Sequence, residues 1–163
     1  MNLHAKLNLN EKLDYIAEGE TLEDQISRTK EVAKIDQSFA PYMRMAVLEN
    51  ERIVGLPEGM PDTYKPETDI PDGISFSTAR QELRRIRSYM ADGAMQNVPS
   101  HQRELKWIQL LEGMHWKEAN ILVHIKDQTL LDIYPNMREV LIALGADVKI
   151  PAKKKTTRKS KKS

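Results

Sequence analysis

Apolar side chains recur along this chain at helical intervals, and the pattern predicts a series of helices. Leu7, Leu9, Leu13 and Ile16 form a first short apolar set that stops at Gly19. Thr21 followed by Asp24 reads as an N-cap with an acidic first turn, which suits the positive end of a helix dipole. Leu22, Ile26, Val32, Ala33 and Ile35 then carry a stripe to Asp36. A third segment, 42–48, is apolar at Met43, Ala46 and Val47, with Pro41 suited to its first turn. Helix returns near Ser77 and Thr78. There Thr78 and Gln81 fit a capping box, and Leu83, Ile86 and Met90 share a face. Ser100 opens another helix to Glu112, with Leu105, Ile108 and Leu111 inward and Gly113 as terminator. The next, 116–126, buries Ala119, Leu122, Val123 and Ile125. Residues 127–133 make a short helical turn, and Asn136 with Glu139 suggests a second capping box for a helix over 137–144.

Between these groups the texture changes. GLPEGMPDTYKPETDIPDG, residues 55–73, holds four prolines and three glycines. Proline has no amide to donate and restricts its predecessor, so no regular element is expected. A loop of this length is uncommon inside a compact domain. It reads as a strap anchored by Leu56, Met60, Tyr64 and Ile70. The expected architecture is therefore all-α: a small bundle of five to seven helices with a long Pro-rich loop and a disordered basic C-terminal tail. Its parts are an N-terminal helical segment (1–50), the strap or linker (51–76), a C-terminal helical domain (77–146) and the tail (147–163).

Composition adjusts this picture little. At 163 residues the chain is about one domain. Two Phe and two Trp leave the core to Leu, Ile, Val, Met and Tyr. With no cysteine, disulfides and thiolate metal sites are excluded. No apolar run approaches the ~18 residues of a membrane span, so no membrane association is expected.

Charge changes it more. The net charge is +1, yet residues 153–163 hold seven Lys or Arg and no acid. That leaves 18 bases against 24 acids, a net of −6, in the rest of the chain. Lys153, Lys154, Lys155, Arg158, Lys159, Lys161 and Lys162 are thus candidate nucleic-acid contacts, nonspecific because nothing in the tail reads a base. Full engagement of duplex DNA would add a slope of up to about −6 in log affinity against log salt. Arg80, Arg84 and Arg87, spaced i, i+4, i+7, place three guanidiniums on one helix face as a second candidate nucleic-acid or anion contact.

Candidate chemistry is otherwise sparse. Glu112 and His115 have the Glu-x-x-His spacing of a carboxylate-bridged metal helix, but Gly113 ends the helix between them and no second copy exists. No nucleophile elbow, phosphate-cradling glycine loop or His-x-x-x-His pair is present, so neither enzyme activity, metal nor cofactor is expected. His124 reads as a core or rim residue, and Lys126 with Asp127 as the charged end of a helix. Trp107 and Trp116 pack the hairpin core, with Trp116 and neighbouring His115 as candidate partner-binding residues. A helix-turn-helix reading of 100–112 and 116–126 fails because the outward face, Lys117, Glu118 and Asn120, is nearly neutral.

The stretches LPEGMPDTYKPETDIPDG, LKWIQLLEGMHWKEANILVHIKDQTL and IYPNM, with the Arg-bearing helix between the first two, are similar to a family of uncharacterised proteins of large tailed bacteriophages, cyanophages included. The resemblance spans about 55–144 and is most specific at LLEG-x-H-x-x-EA. It implies a phage protein made in the host bacterial cytoplasm, and it joins the strap to the helices that follow. It carries over no activity and no site residue. The resulting expectation is a non-enzymatic accessory protein that docks on a phage or host protein, with nonspecific nucleic-acid affinity from the tail. The alternatives are a host-protein modulator independent of nucleic acid and a minor virion component.

Overall fold

A computed structural model describes residues 7–66, 68–71 and 74–146; the tail residues from Lys153 to Lys162 lie outside the described residues. Among the described residues eight α-helices follow one another: α1 (Leu9–Ala17), α2 (Leu22–Ile35), α3 (Phe39–Val47), α4 (Leu83–Arg87), α5 (Ser100–Glu112), α6 (Trp116–Asp127), α7 (Leu130–Ile133) and α8 (Met137–Ala143). The count exceeds the expected five to seven because the short turn expected over 127–133 holds a helix of its own, α7. Among the described residues the β content is one antiparallel bridge, Ile53 with Met90. None of these helices is long and apolar enough to cross a membrane.

One hydrophobic core draws side chains from Leu9 to Leu141. Helix α6 lies at its centre, buried at Ala119, Ile121, Leu122, Val123 and Ile125, and packs on α1, α3, α5 and α7. Helices α1 and α8 both pack on α2.

Local chemistry explains the helix ends. Thr21 Oγ1 accepts the Asp24 amide at 3.0 Å, the expected cap of α2. A capping box forms instead at Asn8, whose amide donates to Glu11 Oε1 at 2.8 Å. At Asn136 it does not form, because the backbone there is already helical and the side chain caps nothing.

Three buried faces differ from expectation. In α2 the inward positions are Gln25, Thr29 and Val32, while Leu22 and Ile35 are exposed. The two polar residues fit because Gln25 donates to the Gly19 carbonyl at 2.9 Å and Thr29 to the Gln25 carbonyl at 2.8 Å. In α5 the core takes Trp107, Leu110 and Leu111, and leaves Leu105 46% exposed. Glu118 of α6, expected outside, is 1% exposed.

Candidate functional site

The strap is held chiefly by polar side chains. Lys126 donates to the Pro57 carbonyl at 2.8 Å and pairs with Asp127 at 2.5 Å, while Asp127 accepts the Gly59 amide at 2.9 Å. The pair that read as a helix end is thus a clamp on the loop. Gln96 donates to the carbonyls of Val54 and Tyr89, and Arg103 to that of Gly55 at 2.7 Å. Of the apolar anchors, Tyr64 is buried and Leu56 packs against the core, whereas Met60 is exposed.

His115 caps α6: its Nδ1 accepts the Lys117 amide at 3.2 Å. That fixes the tautomer with hydrogen on Nε2, which donates to the Ile70 carbonyl at 3.1 Å. The ring is buried and ties the strap to the helix start. Glu112 is exposed at the end of α5, and among the described residues no cluster of three metal-ligating side chains occurs.

Beyond His115 the strap emerges into solvent. Ser77 turns inward, its amide donating to the Gly113 carbonyl at 2.7 Å and its hydroxyl lying where a Cβ on Gly113 would meet it at 2.9 Å. Ser75 Oγ donates to the Ser77 carbonyl at 2.7 Å. With this backbone pinned, Phe76 is left 96% exposed and Ile74 59% exposed. Leaving a Phe side chain in water forgoes about 1.5–3 kcal/mol of burial. Two clefts flank Phe76. One of about 440 Å³ is lined by Glu82, Arg85, Tyr89, Lys106 and Gln109. The other, about 420 Å³, is lined by Tyr64, Ile70, Ile74, Glu112 and Trp116. Trp116 is half-buried and stacks on His115, with no acceptor for its indole nitrogen among the described residues. Phe76 and Ile74 were not singled out by periodicity, since isolated apolar residues in a loop carry no signal of exposure.

The arginine face is rearranged. Arg80, Arg84, Arg85 and Arg87 are all exposed, but Arg80 precedes α4 and only Arg84, Arg85 and Arg87 lie in it. Arg80 and Arg87 line one cleft; Arg85 lines the opposite one and pairs with Glu82 at 3.6 Å. Arg84 lines neither.

Glu118 lies beneath both regions. It accepts the Leu9 amide at 2.7 Å and the Ala79 amide at 3.0 Å, so it caps α1 and fixes the approach to α4. Burial raises its pKa above the usual carboxylate value, against the lowering effect of those two amides and Lys12. Nearby, Lys12 and Asp36 form a buried ion pair at 2.5 Å, 1% and 2% exposed. Burial works to raise the Asp36 pKa, but bonds from Lys12 and Ser38 outweigh it and leave the value lowered.

Fold and surface together define an all-α protein in which a clamped strap presents an apolar ridge between two clefts. The chain belongs to a family of unknown function, DUF6433, whose family model matches residues 23–132. No curated protein and no solved structure matches it.

Proposed function

We propose that the protein is a non-catalytic accessory protein that docks on a protein partner through Phe76 and Ile74. The observation that carries this reading is the 96% exposure of Phe76 on a backbone pinned on both sides. Two exposed apolar side chains on a held backbone between two clefts offer a contiguous apolar surface, which is what an interface anchor needs. The flanking clefts offer room for side chains from the partner, and Trp116 in one of them is a second contact. His115 supports the strap from below.

The setting proposed with it, synthesis in a host bacterial cytoplasm with a phage or host protein as partner, rests only on the resemblance of residues 55–144 to proteins of large tailed bacteriophages. The basic tail, from Lys153 to Lys162, would add nonspecific nucleic-acid affinity to the complex. A second reading, a host-protein modulator independent of nucleic acid, is favoured by the apolar character of the ridge.

Affinity capture from infected cells tests this, using the wild-type chain, Phe76→Glu and a deletion of 152–163, each with and without nuclease. The expected result is a partner lost in Phe76→Glu at unchanged thermal stability. A partner set identical in wild type and Phe76→Glu would overturn the docking role. Recovery insensitive to both nuclease and tail deletion would select the second reading.

A further inference from the structure

A cleft of about 540 Å³ lies between the end of α2, the turn into α3 and the start of α4, lined by Lys34, Asp36, Ser38, Arg80, Leu83 and Arg87 among others. Lys34, Arg80 and Arg87 are exposed, and among the described residues none of the three makes a side-chain hydrogen bond or ion pair. The one acid in the lining, Asp36, is committed inward to Lys12 at 2.5 Å, to Ser38 Oγ at 2.7 Å and to the Ser38 amide at 2.9 Å. Glu82, the nearby acid of the α4 approach, pairs with Arg85 on the other side. The cleft therefore gathers three cations that make no side-chain hydrogen bond or ion pair with the described residues.

Position in the fold accounts for the set. Leu83 and Arg87, four apart in α4, share one face, and Arg80, in the turn before α4, lines the same cleft, whereas Arg84 is turned about 100° away from Leu83. The first turn of α3 adds few donors, because Phe39 N is bonded to the Asp36 carbonyl and Pro41 has none. The cations themselves must do the binding. Two guanidinium forks with an ammonium suit the tetrahedral oxygens of phosphate. The chain outside residues 153–163 carries a net charge of −6, which disfavours a long polyanion lying across it but tolerates a compact one.

We propose that the Lys34–Arg80–Arg87 cleft binds a compact, multiply charged phosphate group, of the kind that a nucleotide or an inorganic polyphosphate carries. This site is separate from the Phe76 ridge and does not depend on it.

The test is a titration of the full-length protein with sodium tripolyphosphate at constant ionic strength, followed by the amide resonances of Gln37 and Ser38. Saturable shifts at both are expected. Arg80→Gln/Arg87→Gln should weaken the response at least tenfold, and Arg84→Gln should leave it within twofold, since each lost charge-assisted contact is worth about one order of magnitude. If the double variant does not fold, Arg80→Gln alone, at an exposed turn position, carries the same comparison. A parallel titration with adenosine triphosphate distinguishes the sources: equal affinity means that the phosphate chain alone is read, and tighter binding means that the nucleoside contributes. Four results would overturn the proposal: shifts confined to residues 153–163, an equal response to sodium chloride, no loss in the arginine variants, or a response to duplex DNA only.

Discussion

Lys12 and Asp36 show how much a single pair can weigh. Both are buried, and removing one partner of such a pair costs about 3–5 kcal/mol. Asp36→Asn should lose about 3 kcal/mol in urea denaturation at pH 7, and a cycle with Lys12→Met should show a coupling of at least about 2 kcal/mol. The pH dependence has two opposing parts. Asp36 has a lowered pKa in the folded state, so its contribution is complete above the unfolded value of 3.8 and is lost as pH falls through the folded one. For Glu118 the folded pKa is raised, so its contribution is complete below 4.5 and is lost as pH rises through the folded value. Glu118→Gln should therefore flatten the stability profile above pH 4.5, measured by denaturation across pH, while leaving the acid limb set by Asp36. Neither residue stood out in the sequence. Lys12 reads as an ordinary surface lysine of an amphipathic helix, and the partners of Glu118 are 109 and 39 residues away.

The helices illustrate which boundaries a pattern can give. Helices α5 and α6 have strong stripes and clear terminators, and both are found where the periodicity puts them. Apolar positions at 105, 107, 108, 110 and 111 spread around much of α5, however, so the stripe could not decide which of them faced inward. Helix α4 is shorter than its Thr78–Gln81 capping box suggests, although both bonds of the box form. Non-local partners claim the flanking backbone: Glu118 takes the Ala79 amide, Tyr42 donates to the Ala79 carbonyl, and Val54 and Gln96 take the Tyr89 carbonyl. The strap was legible as irregular, but its clamp was not, because Lys126 and Asp127 are adjacent in sequence to neither Pro57 nor Gly59. Asp127→Ala should raise hydrogen exchange at the Gly59 amide by at least tenfold and cost about 1–2 kcal/mol globally, both readable by exchange mass spectrometry and denaturation. At Gly93 an added Cβ would stand 2.1 Å from the Ser88 carbonyl oxygen, so Gly93→Ala should cost more than about 2 kcal/mol.

For the whole molecule, the charge split was plain in composition: seven cations within eleven residues on a chain otherwise net acidic. If the tail contacts phosphates, full-length protein should bind duplex DNA with a log–log salt slope of up to about −6, and deletion of 152–163 should abolish that binding. Equal binding by the two forms, checked by fluorescence anisotropy at low salt, would remove the tail from the account. The apolar ridge was not legible in composition, since exposure of Phe76 is a property of the packed assembly around Ser77 and Gly113.

The bond from Leu9 to Glu118 also sets a schedule for the nascent chain. Its donor is synthesised 109 residues before its acceptor. At about 5–20 residues per second, α1 waits roughly 5–20 s before the carboxylate that caps it exists. Through that interval Leu13, Ile16 and the apolar face of α3 have no α6 to cover them. Until α6 is made, the N-terminal helices have only one another to pack on, α1 on α2 and α2 on α3, so the core closes late in synthesis around its central helix.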